Sequence, residues 1–237
     1  ALAQYLKHRE IRHVFGIIGS ANSHIFDSIH NLGYTQIVCV HHEQAATMAM
    51  QAYFRINGKI AAALVTAGGG SSNAVTGVMS AWADSLPGVI ISGQENTRFI
   101  QQMQEMRMWG IQGYDSTEMV RKITKYQARV LDPRLAIYEL EKSFHIAGEG
   151  RPGPVWIDFP MDVQGAWIST KKLSHFDPPD PISYMPEPLV NQMDEVEALL
   201  RNAKRPVFWL GQGIRLAGAH AFIKPLLDVC PVPTLLS

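Results

Sequence analysis

The sequence has no excess of one charge, no long apolar run and no cysteine-rich segment. Lys plus Arg and Asp plus Glu each number 21 in 237 residues, so the formal net charge is zero and nucleic-acid binding is not indicated. No apolar run approaches the roughly 18 residues of a membrane span, so no membrane association is expected. The two cysteines, Cys39 and Cys230, lie in or beside apolar runs. They are expected to be reduced core residues of a cytoplasmic protein, not disulfide partners or metal ligands.

Short apolar runs alternate with segments rich in helix formers over the first 160 residues. The runs predict strands at 14–18, 36–40, 60–65, 89–92, 126–130 and 155–159. The segments between them predict helices at 1–12, 25–32, 43–56, 73–85, 116–123 and 134–147. This alternation predicts an α/β fold with a parallel sheet flanked by helices. Residues 95–114 break the pattern, and this polar, methionine-rich segment is expected to be irregular and mobile.

The proline-rich stretch that follows predicts a linker between two domains. We place the first domain at residues 1–170, the linker at 171–188 and the start of a second α/β domain at 189–237. The second domain is predicted to contain helices at 193–203 and 217–229 and strands at 207–210 and 232–236. Two strands and two helices are too little to bury a sheet on both faces, so this second domain is expected to be incomplete.

An acidic residue stands where the apolar strand 36–40, predicted to be buried, gives way to a helix. Glu43 follows His41 and His42 and opens a run of strong helix formers. Open α/β sheets bind ligands at the carboxyl ends of their strands. Position alone leaves two interpretations, a first-turn acid that complements the helix dipole or a buried acid that faces a ligand. Zinc binding is not indicated, because the His-Glu-x-x-His pattern would need a histidine where Ala46 stands.

Three successive glycines, at 68–70, follow the next predicted strand. A glycine loop between a strand and a helix could cradle a phosphate. The dinucleotide fingerprint would need a glycine where Asn73 stands, and a glycine loop by itself is a weak signal.

These motifs, taken in order, resemble the pyrimidine-binding domain of thiamine-diphosphate enzymes, and the acetolactate synthase branch above all. The resemblance covers nearly the whole chain, and the order of several motifs makes it specific. The matching segments are 14–16, 42–46, 66–73, 84–87, 92–94, 150–155, 162–164 and 205–207.

The resemblance implies roles for individual residues. Glu43 would be the catalytic acid, hydrogen-bonded to N1′ of the cofactor pyrimidine, a role that needs a carboxyl in an apolar setting. Further implied cofactor contacts are Gly19, Gly68, Asn73 and, for FAD in the flavin-bearing members, Arg151. Implied substrate-facing residues are Ser20, Ala21, His42 and Gln112. No metal ligand is implied within this chain.

Two loops depart from the pattern of the family. Relatives usually read Ser-Gly-Pro-Gly where this chain has Ala67 followed by three glycines, and loss of the proline is expected to loosen the loop. Ile18-Gly19-Ser20 replaces a Pro-Gly-Gly sequence in a loop that faces the substrate in the family. A changed acceptor substrate is therefore an open alternative.

The implied activity is decarboxylation of a 2-keto acid, with pyruvate as the expected donor, and transfer of the acyl unit to a carbonyl acceptor. The implied cofactors are thiamine diphosphate and Mg²⁺, with FAD in some members. The Gly-Asp-Gly and Asn-Asn sequences that hold Mg²⁺ and the diphosphate in the family do not occur here, so this chain should supply only the pyrimidine side of the site. A site shared between chains implies a homodimer or homotetramer. The alternatives are an aldehyde lyase, a 2-keto acid or acyl-CoA decarboxylase, or a non-catalytic module of the same fold.

Overall fold

The computed structural model describes the chain at residues 1–180 and 189–237, and the side chains within the second range from residue 192. Contacts divide the chain into two compact units, Ala1–Pro178 and Pro179–Ser237. The predicted domain boundaries, at 170 and 189, stay predictions, and residues 181–188 of the predicted linker lie outside the described residues.

A six-stranded sheet, parallel throughout, forms the centre of the first unit, in the order β2-β1-β3-β4-β6-β5. The strands are β1 (His13–Gly16), β2 (Gln36–Cys39), β3 (Ala62–Val65), β4 (Gly88–Gln94), β5 (Tyr126–Arg129) and β6 (Pro154–Pro160). The predicted fold class, a parallel sheet flanked by helices, is confirmed. In a parallel sheet all carboxyl ends lie at one edge, so the loops after the strands gather there.

Helices connect the strands. They are α1 (Leu2–His8), α2 (Ser23–Leu32), α3 (Glu43–Asn57), α4 (Gly69–Asn73), α5 (Val75–Ala83), α6 (Thr97–Gln102), α7 (Ser116–Val120), α8 (Ala136–Gly148) and α9 (Met161–Gln164). Three 3₁₀ turns accompany them at Ser20–Asn22, Pro133–Leu135 and Thr170–Lys172. Within the ranges given above, no helix combines the length and the apolarity needed to cross a membrane.

The core lies on both faces of the sheet. Side chains alternate between the two faces of a strand, so on β3 Ala62 and Leu64 join one apolar cluster while Ala63 and Val65 join the other. The first cluster packs against α1, α2 and α8, and the second against α3 and α5. A strand covered on both faces carries a continuous apolar run, which is the pattern that the sequence showed for β3.

Strand β2 was predicted to be buried, and this prediction is wrong. Among the described strands it pairs only with β1, at the edge of the sheet, and its four residues are exposed or half-buried. Cys39, predicted to be a core residue, is accordingly exposed, and Cys230 is half-buried. An apolar run identifies a strand but does not give its place in the sheet, which depends on pairing with distant residues.

Two further predictions need correction. The helix predicted at 73–85 is the shorter α5, and a separate helix, α4, precedes it because the glycine loop itself enters helical conformation at Gly69. The predicted irregular segment 95–114 contains the helix α6, and three of its side chains, Glu95, Ile100 and Trp109, are buried. The expected mobility of that segment stays a prediction.

The second unit contains α10 (Leu189–Asn202), β7 (Phe208–Leu210), α11 (Gly213–Leu216), a 3₁₀ turn at Ala219–Phe222, α12 (Ile223–Val229) and β8 (Thr234–Leu236). Strands β7 and β8 pair in parallel. The helix predicted at 217–229 is therefore shorter and preceded by a 3₁₀ turn. Pro225 lies in the first turn of α12, where a missing backbone N–H breaks no helical hydrogen bond.

Helices α3 and α5 approach each other closely at Gly77. A Cβ at Gly77 would lie 1.9 Å from Thr47 Oγ1 and 2.7 Å from Thr47 Cβ. Gln51 on α3 also donates a hydrogen bond to the Gly77 carbonyl at 2.8 Å. The two helices can keep this separation only while position 77 has no side chain.

We therefore expect Gly77→Ala to lower the free energy of unfolding by about 1–3 kcal/mol, because overpacking must push the helices apart. Gly69→Ala is the matched control, since a Cβ there meets no atom within 4 Å. The control should be neutral or stabilising by up to about 1 kcal/mol. Urea unfolding followed by circular dichroism measures both, and equal stability of the two variants would contradict the packing argument.

Candidate active site

Glu43 is buried at the carboxyl edge of the sheet. It is the first residue of α3, and His42 caps that helix by accepting a hydrogen bond from Gln44 N at Nδ1, at 3.2 Å. Only 8% of Glu43 is exposed. Asn73 Nδ2 donates a hydrogen bond to Glu43 Oε2 at 3.0 Å. The structure thus brings together two residues, 30 positions apart, that the sequence assigned to one site.

The glycine loop packs closely against the carboxylate. A Cβ at Gly70 would lie 2.9 Å from Glu43 Oε1 and 2.5 Å from Thr66 Cγ2. Gly68 adopts φ +69°, a left-handed conformation that favours glycine. One carboxylate oxygen is therefore bonded to Asn73, while the other lies against Gly70 and accepts no hydrogen bond from the described residues.

The loop after β1 lies beside Thr66. A Cβ at Gly19 would be 2.5 Å from Thr66 Oγ1, and that hydroxyl is buried without a hydrogen-bond partner among the described residues. Asn22, which sequence reasoning missed, shapes this loop by accepting a hydrogen bond from Gly19 N at 2.8 Å and donating one to Ile17 O at 3.1 Å. Of the two predicted substrate residues here, Ser20 is exposed and Ala21 is buried.

Gln112 lies against the glycine loop. Its side-chain Nε2 donates to Ala67 O at 3.3 Å, and a Cβ at Gly68 would lie 3.0 Å from Gln112 Cβ. The Tyr114 hydroxyl adds a second contact, 2.8 Å from Ser71 Oγ. Burial raises the pKa of Tyr114, so its phenol is neutral at pH 7. A distant segment of the chain is therefore fastened to the loop beside Glu43.

The buried carboxylate of Asp158, on β6, anchors the segment that contains Gln112 and Tyr114. Asp158 accepts hydrogen bonds from Ser116 Oγ at 2.6 Å, Trp156 Nε1 at 2.8 Å, Gln94 Nε2 at 3.2 Å and Arg129 Nε at 3.4 Å. Burial raises the pKa of Asp158, and the donors together with the charge of Arg129 offset only part of that effect. An acid inside the apolar run of a buried strand is the sequence signal that could have identified this group.

Arg151 lies elsewhere. Its Nε donates to Ser85 Oγ at 2.7 Å. Arg151 precedes β6 and Ser85 precedes β4, so both lie at the amino ends of the strands. Glu43 lies at the opposite, carboxyl ends. The structure brings together Glu43, Asn73, Gly68, Gly19 and Gln112 at one edge, and Arg151 is not among them.

Among the residues whose side chains are described, no group of three or more His, Cys, Asp and Glu is arranged to hold a metal ion. His41 and His42 are both exposed.

Comparison with known proteins agrees with this site. The family described as thiamine pyrophosphate enzyme, N-terminal TPP binding domain, matches residues 1–122. The chain belongs to this family, the N-terminal cofactor-binding domains of thiamine pyrophosphate enzymes.

Curated relatives extend the similarity over most of the chain. Acetolactate synthase of Arthrospira platensis is 33% identical over 98% of this chain and 40% of its own length. The acetolactate synthase isozyme 3 large subunit of Escherichia coli is 34% identical over 96% of this chain and 39% of its own length. The acetolactate synthase large subunit of Haemophilus influenzae is 35% identical over 90% and 36%. The chain spans about two fifths of the length of these relatives.

The ion pair between Asp115 and Arg129, at 2.6 Å, allows a test of how the segment that contains Gln112 is held in place. Burial would raise the pKa of Asp115, but hydrogen bonds from the Glu118 amide, the Thr117 hydroxyl and Arg129 outweigh it and lower the pKa. Because the folded-state pKa is depressed, the stabilisation is present above the unfolded pKa of about 3.9 and is lost as the pH falls through the folded value.

Asp115→Asn should therefore destabilise the protein at pH 7, and the difference from wild type should shrink as the pH falls below about 4. The effect should stay below about 1 kcal/mol, because the Asp115 side chain is 41% exposed. Urea unfolding at a series of pH values measures it. Glu118→Gln, which removes an exposed pair with Arg121, is the control. A difference from wild type that does not depend on pH would contradict the assignment.

Proposed function

We propose that this chain supplies the pyrimidine side of the active site of a thiamine-diphosphate-dependent carboligase of the acetolactate synthase kind. The enzyme would decarboxylate a 2-keto acid, with pyruvate as the expected donor, and transfer the acyl unit to a carbonyl acceptor. The observation that carries the proposal is the buried Glu43 carboxylate, with one oxygen held by Asn73 and the other without a hydrogen-bond donor among the described residues.

The residues fit the cofactor. Thiamine diphosphate, when bound, supplies an acidic thiazolium carbon and its own amino group as the base. A pyrimidine ring carries a basic nitrogen, and the Glu43 oxygen that accepts no hydrogen bond from the described residues would pair with it. Asn73 fixes the orientation of the Glu43 carboxyl by donating to Oε2.

Glu43 would hold a proton at the ring nitrogen N1′. A proton shared with N1′ would stabilise the imino form of the ring. Positioned acid–base groups of this kind typically contribute about 10²–10⁴ in rate. His42 has a structural task at the N-cap of α3, and a substrate contact from its exposed ring is part of the proposal.

Finer assignments belong to the same proposal. Mg²⁺ and the diphosphate would be held outside this chain, and the site would be completed in a homodimer or homotetramer. An FAD contact through Arg151 would lie at the amino ends of the strands, whereas Glu43 lies at their carboxyl ends. Gln112 and the loop around Ser20 would face the substrates, and the two free cysteines favour a cytoplasmic location.

The decisive test is Glu43→Gln in the complete enzyme. The amide keeps the shape of the side chain but has no acidic proton to share with N1′. Exchange of the thiazolium proton, followed by NMR after acid quench, should slow by roughly 10²-fold or more. Binding of the cofactor should weaken less.

His41→Asn is the matched control, since His41 neighbours Glu43 in sequence but is exposed, and it should exchange near the wild-type rate. A wild-type exchange rate in Glu43→Gln would leave Glu43 as a helix-start residue and refute the proposal.

The 237-residue chain by itself should bind thiamine diphosphate weakly and show no turnover. The reason is that its sequence contains neither Gly-Asp-Gly nor Asn-Asn, the sequences expected to hold the metal and the diphosphate. Calorimetry with and without Mg²⁺ measures the binding. Tight, magnesium-dependent binding to this chain alone would contradict the division of the site.

A further inference from the structure

A short turn closes around a carboxylate at the edge of the candidate site. Trp109 and Gly113 exchange two backbone hydrogen bonds, at 2.7 and 2.9 Å. Between them, Ile111 N and Gln112 N both donate to Glu95 Oε1, at 3.2 and 3.1 Å. Successive backbone N–H groups aimed at one point form an anion-binding nest, and here the anion is a side chain of the same protein.

The turn can form only because glycine flanks it on both sides. Gly110 adopts φ +58°, and a Cβ there would lie 2.6 Å from Glu95 Oε2. A Cβ at Gly113 would lie 2.5 Å from Glu95 Cγ. The Glu95 side chain thus fills the space that the two glycines leave open.

No apolar burial holds the tip of the turn. Ile111 is 91% exposed, whereas Glu95 is only 4% exposed. The base of the turn is held independently, because Arg129 stacks over the Trp109 ring at 4.5 Å. The two hydrogen bonds to Glu95 are therefore the contacts that fix the amides at 111 and 112. Hydrogen bonds to a charged acceptor are the stronger kind.

We propose that Glu95 is a positioning residue, whose buried carboxylate holds the backbone of the turn so that Gln112 stays against Ala67 and Gly68, beside the Glu43 group. The link to catalysis rests on the proposed function, while the structural part does not. Gln112 and Gly68 are in close contact. Release of the turn would therefore free Gln112 and remove the side chain that packs against the glycine loop.

The experiment uses the complete enzyme with Glu95→Ala, Glu95→Gln, Gln112→Ala and the double variant of Glu95→Ala with Gln112→Ala. Glu105→Gln is the control, because Glu105 is an exposed acid in the same segment. Hydrogen–deuterium exchange with mass spectrometry reports on peptides that cover 109–113, and peptides from β4 and β6 report on global stability. Steady-state kinetics and thiazolium exchange complete the set.

In Glu95→Ala, exchange within 109–113 should accelerate about tenfold or more, since two charge-assisted hydrogen bonds are lost. Exchange in β4 and β6 should not change. Glu95→Gln keeps an acceptor oxygen and should recover much of the protection. Glu95→Ala and Gln112→Ala should each lower kcat/KM by about tenfold, and the double variant should be no worse than either, as expected for residues that act as one unit.

Unchanged hydrogen–deuterium exchange at 109–113 in Glu95→Ala would overturn the proposal. So would a loss of kcat/KM in the double variant equal to the product of the two single losses. If Glu95→Ala does not fold, Glu95→Gln carries the test, and its exchange must still exceed that of Glu105→Gln. Thiazolium exchange in the Glu95 variants should stay near wild type, because Glu43 is untouched. If the proposed function is wrong, the Glu43→Gln variant will instead exchange the thiazolium proton at the wild-type rate.

Discussion

A carboxylate removed from water must find hydrogen-bond donors, and this constraint organises the carboxyl edge of the sheet. Three acids are buried there, and each meets the constraint differently. Asp158 has four side-chain donors around it, and Glu95 has two backbone amides. Glu43 has the Asn73 amide on one oxygen, while the other accepts no hydrogen bond from the described residues. The acid with the fewest internal donors is the one best placed to bond with a ligand.

The three acids also act at different distances from the candidate site. Asp158 lies on β6 and holds the segment after α6 from within the fold, through Ser116 and Arg129. Glu95, directly after β4, holds the turn that carries Gln112. Glu43 lies in the candidate site itself. Strands that are far apart in sequence thus contribute to one edge, as a parallel sheet requires.

The sequence predicted the parts of this arrangement that are local. A carboxylate after an apolar run and before helix formers marked Glu43 but left two interpretations open, and the resemblance to thiamine-diphosphate enzymes assigned Gly68 and Asn73 to the same site. The pairing of Glu95 with amides at 111 and 112 could not be predicted, because nothing in a polar segment indicates which backbone groups face which acid. The edge position of β2 was missed for a related reason. Strand order is decided by contacts between distant residues, so the exposure of Cys39 is a tertiary property.

Gly69 shows how a local sequence feature and tertiary contacts act together. A proline in this loop would restrict the unfolded chain and stiffen the native loop, whereas a glycine there increases the entropy lost on folding. The structure supplies restraint from other sources, since residues 69–73 form α4 and the loop is tied to Gln112 and Tyr114. Both ties come from the segment that Glu95 and Asp158 hold in place. The order of the glycine loop beside Glu43 therefore depends on carboxylates that lie outside the loop, and a substitution at either acid should be felt at the candidate site without touching it.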